Sequence, residues 1–249
     1  MSANGQSNEV DKSSDKLYLD KPSTEKELFS DQSFAFGTMQ GWRSSNEDFH
    51  KHKIPLDENL AKNWAIFSIF DGHNDTNLRE LIKDHIGSVC IATLISPEKI
   101  FFINLGDSRG IIISNDGKVL ISTKDHKPNV QKEKERIRRA GGRITRVGND
   151  ILRVESQLAM TRALGDYSLD KNIVTAIPEL IQYERDSSAE YIIIASDGIW
   201  DVMSNEQVAS FVSQRISNTT LENIISQLFD QCLKQESLDN MTAYIIKIN

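Results

Sequence analysis

Cysteine is scarce: two in 249 residues, Cys90 and Cys232, neither beside a second cysteine or a histidine pair. That excludes a disulfide framework and a Cys/His zinc site, and it leaves two free thiols in apolar runs. Positive charge is also short. Lys and Arg number 29 against 36 Asp and Glu, a formal net charge of −7. A chain with no cationic excess cannot displace counterions from a phosphate backbone, so no nucleic-acid partner is expected. No apolar stretch nears the ~20 residues that a membrane helix needs. The opening Met1-Ser2-Ala3-Asn4-Gly5 leads into no apolar core, and Ser2 stands where a myristoylation start requires glycine. The expectation is a soluble protein of the cytoplasm, the nucleus or both, with no membrane partner. No internal repeat is visible.

What is present is ordinary for a globular fold: 39% hydrophobic and 26% charged residues. The length suits one large domain with a substantial core. Residues 1–30 are polar and read as a mostly disordered tail, which leaves 31–249 as the folded domain. Four apolar runs follow one another at 89–95, 99–105, 109–114 and 118–123. The breaks between them, such as Gly106-Asp107-Ser108 and Asn115-Asp116-Gly117, are too short for a helical crossover. They predict hairpin turns and an antiparallel meander. Further strands are expected at 67–70, 191–195 and 242–248. Helices are expected at 129–140, stopped by Gly141-Gly142, and at 204–216, where Ser204 and Gln207 form a capping-box signature. A third, at 221–233, carries Leu221, Ile224, Ile225, Leu228 and Cys232 on one stripe. Sheets with covering helices make an α+β layered domain.

The aspartates fall at telling places. Asp71 closes the run at 66–70, and Asp197 closes the run at 191–195. Asp239 sits in the tight Ser237-Leu238-Asp239-Asn240 turn before the last strand, and Asp48 follows Glu47. Strand ends can converge on one rim of a sheet, and carboxylates gathered there repel one another unless cations neutralise them. With oxygen donors alone, hard divalent ions are expected: Mg²⁺ or Mn²⁺, with Ca²⁺ also admissible. Any one of these aspartates alone reads as readily as a turn or cap residue, so the combination carries the reading.

A set of short motifs then runs in order. The first are Met39-Gln40-Gly41-Trp42-Arg43 with Glu47-Asp48, Phe70-Asp71-Gly72-His73, Gly106-Asp107-Ser108-Arg109 and Asp125-His126-Lys127-Pro128. After these come Thr161-Arg162-Ala163-Leu164-Gly165-Asp166, Ser196-Asp197-Gly198-Ile199-Trp200-Asp201 and Asp239-Asn240-Met241-Thr242. From about Phe36 to the end, the chain resembles the type 2C (PPM) metal-dependent protein serine/threonine phosphatases. The resemblance implies a four-layer α-β-β-α sandwich of two antiparallel sheets with two Mn²⁺ or Mg²⁺ ions, and a weaker third, at one end. It implies phosphoserine and phosphothreonine protein substrates, hydrolysed by a hydroxide bridging the metals. A monomer is expected.

The same resemblance assigns roles. Asp71 would bridge both metals, with Asp48, Asp197 and Asp239 as further direct or water-mediated ligands. Gly72 would offer its carbonyl, Glu47 would bind through water, and Asp107 would serve the third ion. Asp201 would bind that ion or support Asp197. Arg43 would hold the phosphate with its planar fork, and His73 would be the general acid. Arg162 and Asp166 are expected to organise the scaffold. Taken singly, Arg43 reads as an ion-pair partner, His73 as a turn histidine and Asp107 as a hairpin residue. No Cys-x5-Arg loop is present, so no cysteine nucleophile is called for.

The pattern departs from the family between His73 and Gly87. Relatives carry a long segment there that supplies much of two helices, whereas this chain has room for one short helix at 76–85. One helical layer is therefore expected to be shortened, leaving an apolar sheet face to be covered in another way. The runner-up readings are a catalytically impaired interaction protein of the same fold, a shortened product of a longer gene, and a hydrolase of small phosphoesters.

Overall fold

The computed structural model describes residues 17–73, 86–147 and 151–248. Two six-stranded sheets form the body. The first contains β1 (Tyr18–Ser30), β2 (Phe34–Arg43), β7 (Arg109–Ile113), β8 (Val119–Ser122), β13 (Tyr191–Ala195) and β14 (Met241–Lys247), in the order β1-β2-β14-β13-β7-β8. The second contains β3 (Asp48–Lys53), β4 (Ala65–His73), β5 (Gly87–Ile95), β6 (Lys99–Leu105) and β12 (Glu179–Glu184), in the order β12-β6-β5-β4-β3. The short β11 (Leu164–Gly165) pairs with β5, and every pairing between these strands is antiparallel. A separate hairpin joins β9 (Ile144–Val147) and β10 (Ile151–Val154).

Two apolar layers hold the sheets. Phe34, Phe36, Phe67, Ile69, Ile91, Phe102, Ile192, Ile194 and Tyr244 fill the space between them. The continuous Tyr191–Ala195 run is buried at every position because β13 is covered on both faces. On the outer face of the first sheet lie α3 (Asn205–Ile216) and α4 (Leu221–Lys234), packed through Val208, Val212, Ile225, Leu228 and Phe229. Ser204 and Gln207 close the expected capping box at α3. A smaller cluster around Ile137, Val154, Leu158 and Val174 joins α1 (Gln131–Arg139) to the hairpin. Both cysteines are free thiols. Among the described residues, no helix is long and apolar enough to cross a membrane.

Two expectations need correction. The polar tail does not extend to residue 30: Tyr18–Ser30 is a strand, paired with β2 from Ser30↔Ala35 to Tyr18↔Arg43. Its polar composition is that of an edge strand with one solvated face. Leu28 packs against the outer core, and Lys26 reaches α4 at Ser226 and Asp230. Residues 1–16 lie outside the described residues. The four-run meander is also two hairpins in two different sheets, β5–β6 and β7–β8. Gly106-Asp107-Ser108 is a crossover between the sheets. Gly106 turns it at φ +107, a conformation open to glycine, where a Cβ would lie 2.3 Å from Val89 Cβ.

The described residues layer as helix, sheet, sheet. Among the described residues, no helix packs broadly on the outer face of the second sheet, where Phe49 is 61% and Leu180 69% exposed. The expected short helix at 76–85 falls outside the described residues.

Candidate active site

Antiparallel register brings the motif residues to one rim. Arg43 ends β2, Asp239 precedes β14, Asp197 follows β13 and Asp107 precedes β7. The pairings Met39↔Met241, Ala195↔Ala243 and Ala195↔Arg109 set all four at the same end of the first sheet. In the second sheet Asp48 opens β3 directly opposite Asp71 near the end of β4. Both belong to the inner face, because residues alternate and Phe67, Ile69, His50 and His52 on the same phase pack between the sheets. Two carboxylates directly opposite across a ladder destabilise the sheet. That arrangement calls for positive charge.

The electrostatics agree. Burial pushes the Asp48 carboxyl up to about 6, and Asp239 adds to it against hydrogen bonds from Thr242 and Ser196. Burial also pushes Asp107 up to about 6, opposed by Lys127 and aided by Asp125 and Asp201. Asp71 is held well above the carboxylate range first by burial and then by Asp197, Asp48, Asp107 and Asp239; Asp197 is held there first by burial and then by Asp107, Asp239 and Asp201. Asp107 is only 2% exposed, and its Oδ1 has no hydrogen-bond partner. An orphaned buried carboxylate oxygen among mutually repelling carboxylates fits a hard divalent cation. Among the described residues, no three His, Cys, Asp or Glu side chains stand in ligating geometry for a single ion. The protein's own cations hold two of the carboxylates: Arg43 Nη2 lies 2.5 Å from Asp239 Oδ2, and Lys127 Nζ lies 2.6 Å from Asp201 Oδ1.

Arg43, Glu47, His73 and Asp201 border a cleft of about 1060 Å³ together with Asp107, Asp197 and Asp239; Asp48, Asp71 and Gly72 are not part of its lining. The Arg43 guanidinium lies over the Tyr18 ring, 5.6 Å from its centroid. Glu47 lines the cleft, and its carbonyl accepts from the Gly72 amide at 3.2 Å. Asp201 follows Asp197 by four residues, one turn along α2 (Asp197–Trp200), and is exposed. His73 reaches Asp166, with Nε2 2.9 Å from Oδ2. Trp200 is a packing residue whose indole donates to the Ala195 carbonyl at 3.0 Å.

Four residues carry more than the motifs alone disclosed. Asn240 donates to the Gln40 and Ser45 carbonyls and accepts from the Glu47 amide, tying the Arg43–Asp48 loop to β14. Ser196 donates to Asp48 at 2.8 Å and accepts from the Thr242 amide. Lys127 stands among Asp107, Asp125 and Asp201. Asp166 is a partner of His73 as well as a scaffold residue. Each lies inside a quoted motif, but each has a partner 46 to 200 positions away in sequence.

Comparison with known proteins agrees with this geometry. The family model described as Protein phosphatase 2C matches residues 75–241, more than half of the chain. The chain belongs to the protein phosphatase 2C family. It is 33% identical to bovine protein phosphatase 1A, over 92% of this chain and 75% of that one. It is 31% identical to human protein phosphatase 1B, again over 92% of this chain, but it spans only 60% of that relative's length. The second alignment runs 297 residues against a chain of 249, so the relative carries positions that this chain lacks. A solved serine-threonine phosphatase 2C from Toxoplasma gondii shares the fold at a TM-score of 0.73 and 20% identity, covering 93% of this chain and 98% of that one. The rim that the family model leaves unmatched, from Arg43 to His73, falls within the relatives' matches, since the uncovered 8% amounts to only about 20 residues.

Proposed function

We propose that this chain is a metal-dependent protein serine/threonine phosphatase using Mn²⁺ or Mg²⁺. The observation that carries the reading is the all-oxygen rim: Asp48 opposite Asp71, with Asp107, Asp197 and Asp239 in the same field and one buried oxygen of Asp107 unpartnered. Asp71 would be shared between two ions, with Asp48, Asp197 and Asp239 completing their surroundings. The Gly72 carbonyl and, through water, Glu47 would assist. Asp107 and Asp201 would hold a weaker third ion. When bound, a divalent pair supplies the charge that activates water for in-line attack on phosphorus.

The chain's own residues do the rest. Arg43 offers a guanidinium fork to two phosphate oxygens, and its bond to Asp239 keeps that fork at the mouth of the cleft. His73 protonates the departing serine or threonine oxygen. Ile151, Leu152 and Arg153 of the β9–β10 hairpin line the same cleft. Named protein phosphatases among the relatives favour protein substrates over small phosphoesters.

Phosphate release from a phosphothreonine peptide tests the reading. Turnover should require Mn²⁺ or Mg²⁺, stop with chelator and return on adding metal. A folded sample with no metal-dependent turnover would sink it. Hydrolysis of small phosphoesters without any phosphopeptide turnover would replace the substrate assignment.

A further inference from the structure

We infer that Asp166 is the positioning residue for His73, fixing which ring nitrogen faces the substrate. The inference rests on the reading of His73 as the acid. His73 is the last residue of β4 and pairs with Gly87 at the start of β5, and Gly87 pairs on its other side with Gly165 of β11. The three form one row across the sheet. Asp166 follows Gly165, donates its amide to the Ile86 carbonyl at 3.0 Å, and turns back over Gly87 at φ +52. Its carboxylate meets the imidazole with both oxygens, Oδ2 at 2.9 Å and Oδ1 at 3.1 Å from Nε2.

The meeting depends on what Gly87 lacks. A Cβ there would lie 2.2 Å from Asp166 Oδ2 and 2.4 Å from His73 Nε2, so a side chain would occupy the place where the two groups touch. Asp166 is 3% exposed, and both it and His73 border the cleft. An ionised carboxylate only accepts hydrogen bonds, so the proton in this contact belongs to Nε2. Proton delivery to the leaving oxygen then falls to Nδ1–H of the imidazolium, which keeps its Nε2 proton on the buried Asp166 carboxylate and is left neutral. A histidine without that anchor can rotate or exchange tautomers, and either change removes the donor from its line to the substrate.

Leaving-group dependence separates positioning from scaffolding. Threonine leaves as a poor alkoxide and needs a proton, whereas p-nitrophenolate leaves without one. Asp166→Asn suits the test, because asparagine tolerates the left-handed backbone and keeps the amide bond to Ile86. With metal saturating, it should lower kcat on a phosphothreonine peptide by about tenfold or more, within the range that acid catalysis commands. Turnover of p-nitrophenyl phosphate should stay within about twofold of the parent. His73→Gln should show the same selectivity, and the double variant should be no worse than His73→Gln alone. Gly87→Ala, which puts a methyl between the two groups without replacing either residue, should show the same selective loss.

Equal loss on both substrates in Asp166→Asn would overturn the positioning role while leaving His73 as the acid if His73→Gln remains selective. No selectivity in His73→Gln would overturn both. Absence of turnover by the parent enzyme would instead remove the function on which they stand.

Discussion

Two buried carboxylate sites in this molecule behave in opposite ways. At the rim, burial and mutual repulsion push Asp48 and Asp107 up to about 6 and hold Asp71 and Asp197 higher still. At Glu133, on α1, burial would also raise the carboxyl, yet it stands at about 2 because hydrogen bonds from Arg162, Thr161 and Arg136 outweigh that cost. Glu133 is 1% exposed, with Arg162 Nη2 2.5 Å from Oε1 and Arg136 Nη2 3.0 Å from Oε2. One site has more donors than it needs. The other has a buried oxygen with none. Burial by itself therefore does not separate a structural carboxylate from a functional one; the partners do.

The largest effects should come from breaking each site in turn. Asp197→Asn removes a carboxylate proposed as a metal ligand and relieves repulsion at the same stroke. It should cut metal-dependent phosphate release by at least about 100-fold, while the melting temperature in chelator stays level or rises. A fall in that melting temperature would mean that the rim is structural. Glu133→Gln does the reverse. It strands Arg162 and Arg136 beside a neutral amide, and it should cost about 3–5 kcal/mol in denaturant unfolding. The rim should still bind metal at denaturant concentrations that leave the variant folded. Unchanged stability would sink the idea of a charge-locked knot.

The pH dependence of the metal-free protein sharpens the contrast, because the two sites pull in opposite directions. Asp48 and Asp107 have folded values above the ordinary carboxylate range, so the stability they contribute is present at low pH and lost as pH climbs through about 6. Glu133 has a folded value below its ordinary one. Its contribution is present above the usual carboxylate range and lost as pH falls toward about 2. In chelator, the melting temperature should pass through a maximum between those limits and decline toward pH 8. Saturating Mn²⁺ should remove the decline on the alkaline side alone. A metal-free melting temperature that rises steadily from pH 5 to pH 8 would contradict the charge pattern assigned to the rim.

These two sites also differed in how far sequence could read them. Asp71, Asp107, Asp197 and Asp239 are legible because each stands at the end of an apolar run or in a turn beside one; Asp48 opens the polar strand β3, and only its motif marked it. The capping box at Ser204 is likewise legible from local pattern. Arg136 joins Glu133 at local i,i+3 spacing, but Thr161 and Arg162 join it from 28 and 29 residues away and Asp166 meets His73 from 93 away, and no local spacing announces those contacts. The split of the four apolar runs into two sheets was hidden because Gly106-Asp107-Ser108 has hairpin chemistry. What separates it from a hairpin is tertiary: β6 takes β12 and β7 takes β13 as further neighbours. Strand β1 was missed because a solvated edge strand has the composition of a tail.

Lys127 follows His126, whose carbonyl accepts from Thr161, a donor to Glu133, so it stands between the rim and the knot in the chain of contacts; it yields the smallest effect. Three residues serve one carboxylate at Glu133, whereas at Lys127 one ammonium serves three carboxylates. Nζ lies 2.6 Å from Asp201, 3.8 Å from Asp107 and 3.9 Å from Asp125. Burial alone would lower this lysine; Asp107, Asp201 and Asp125 more than reverse that and raise it. Asp201 is exposed, so the pair should contribute no more than about 1 kcal/mol. Lys127→Met should therefore lower the metal-free melting temperature slightly at pH 8, where the rim is most charged, and hardly at pH 5. Removing the ammonium also removes a competitor for Asp107 and Asp201, so the weakest Mn²⁺ binding step, followed by calorimetry, should tighten. If that step weakens instead, Lys127 supports the rim's geometry, and its charge is not what divides the rim from the knot.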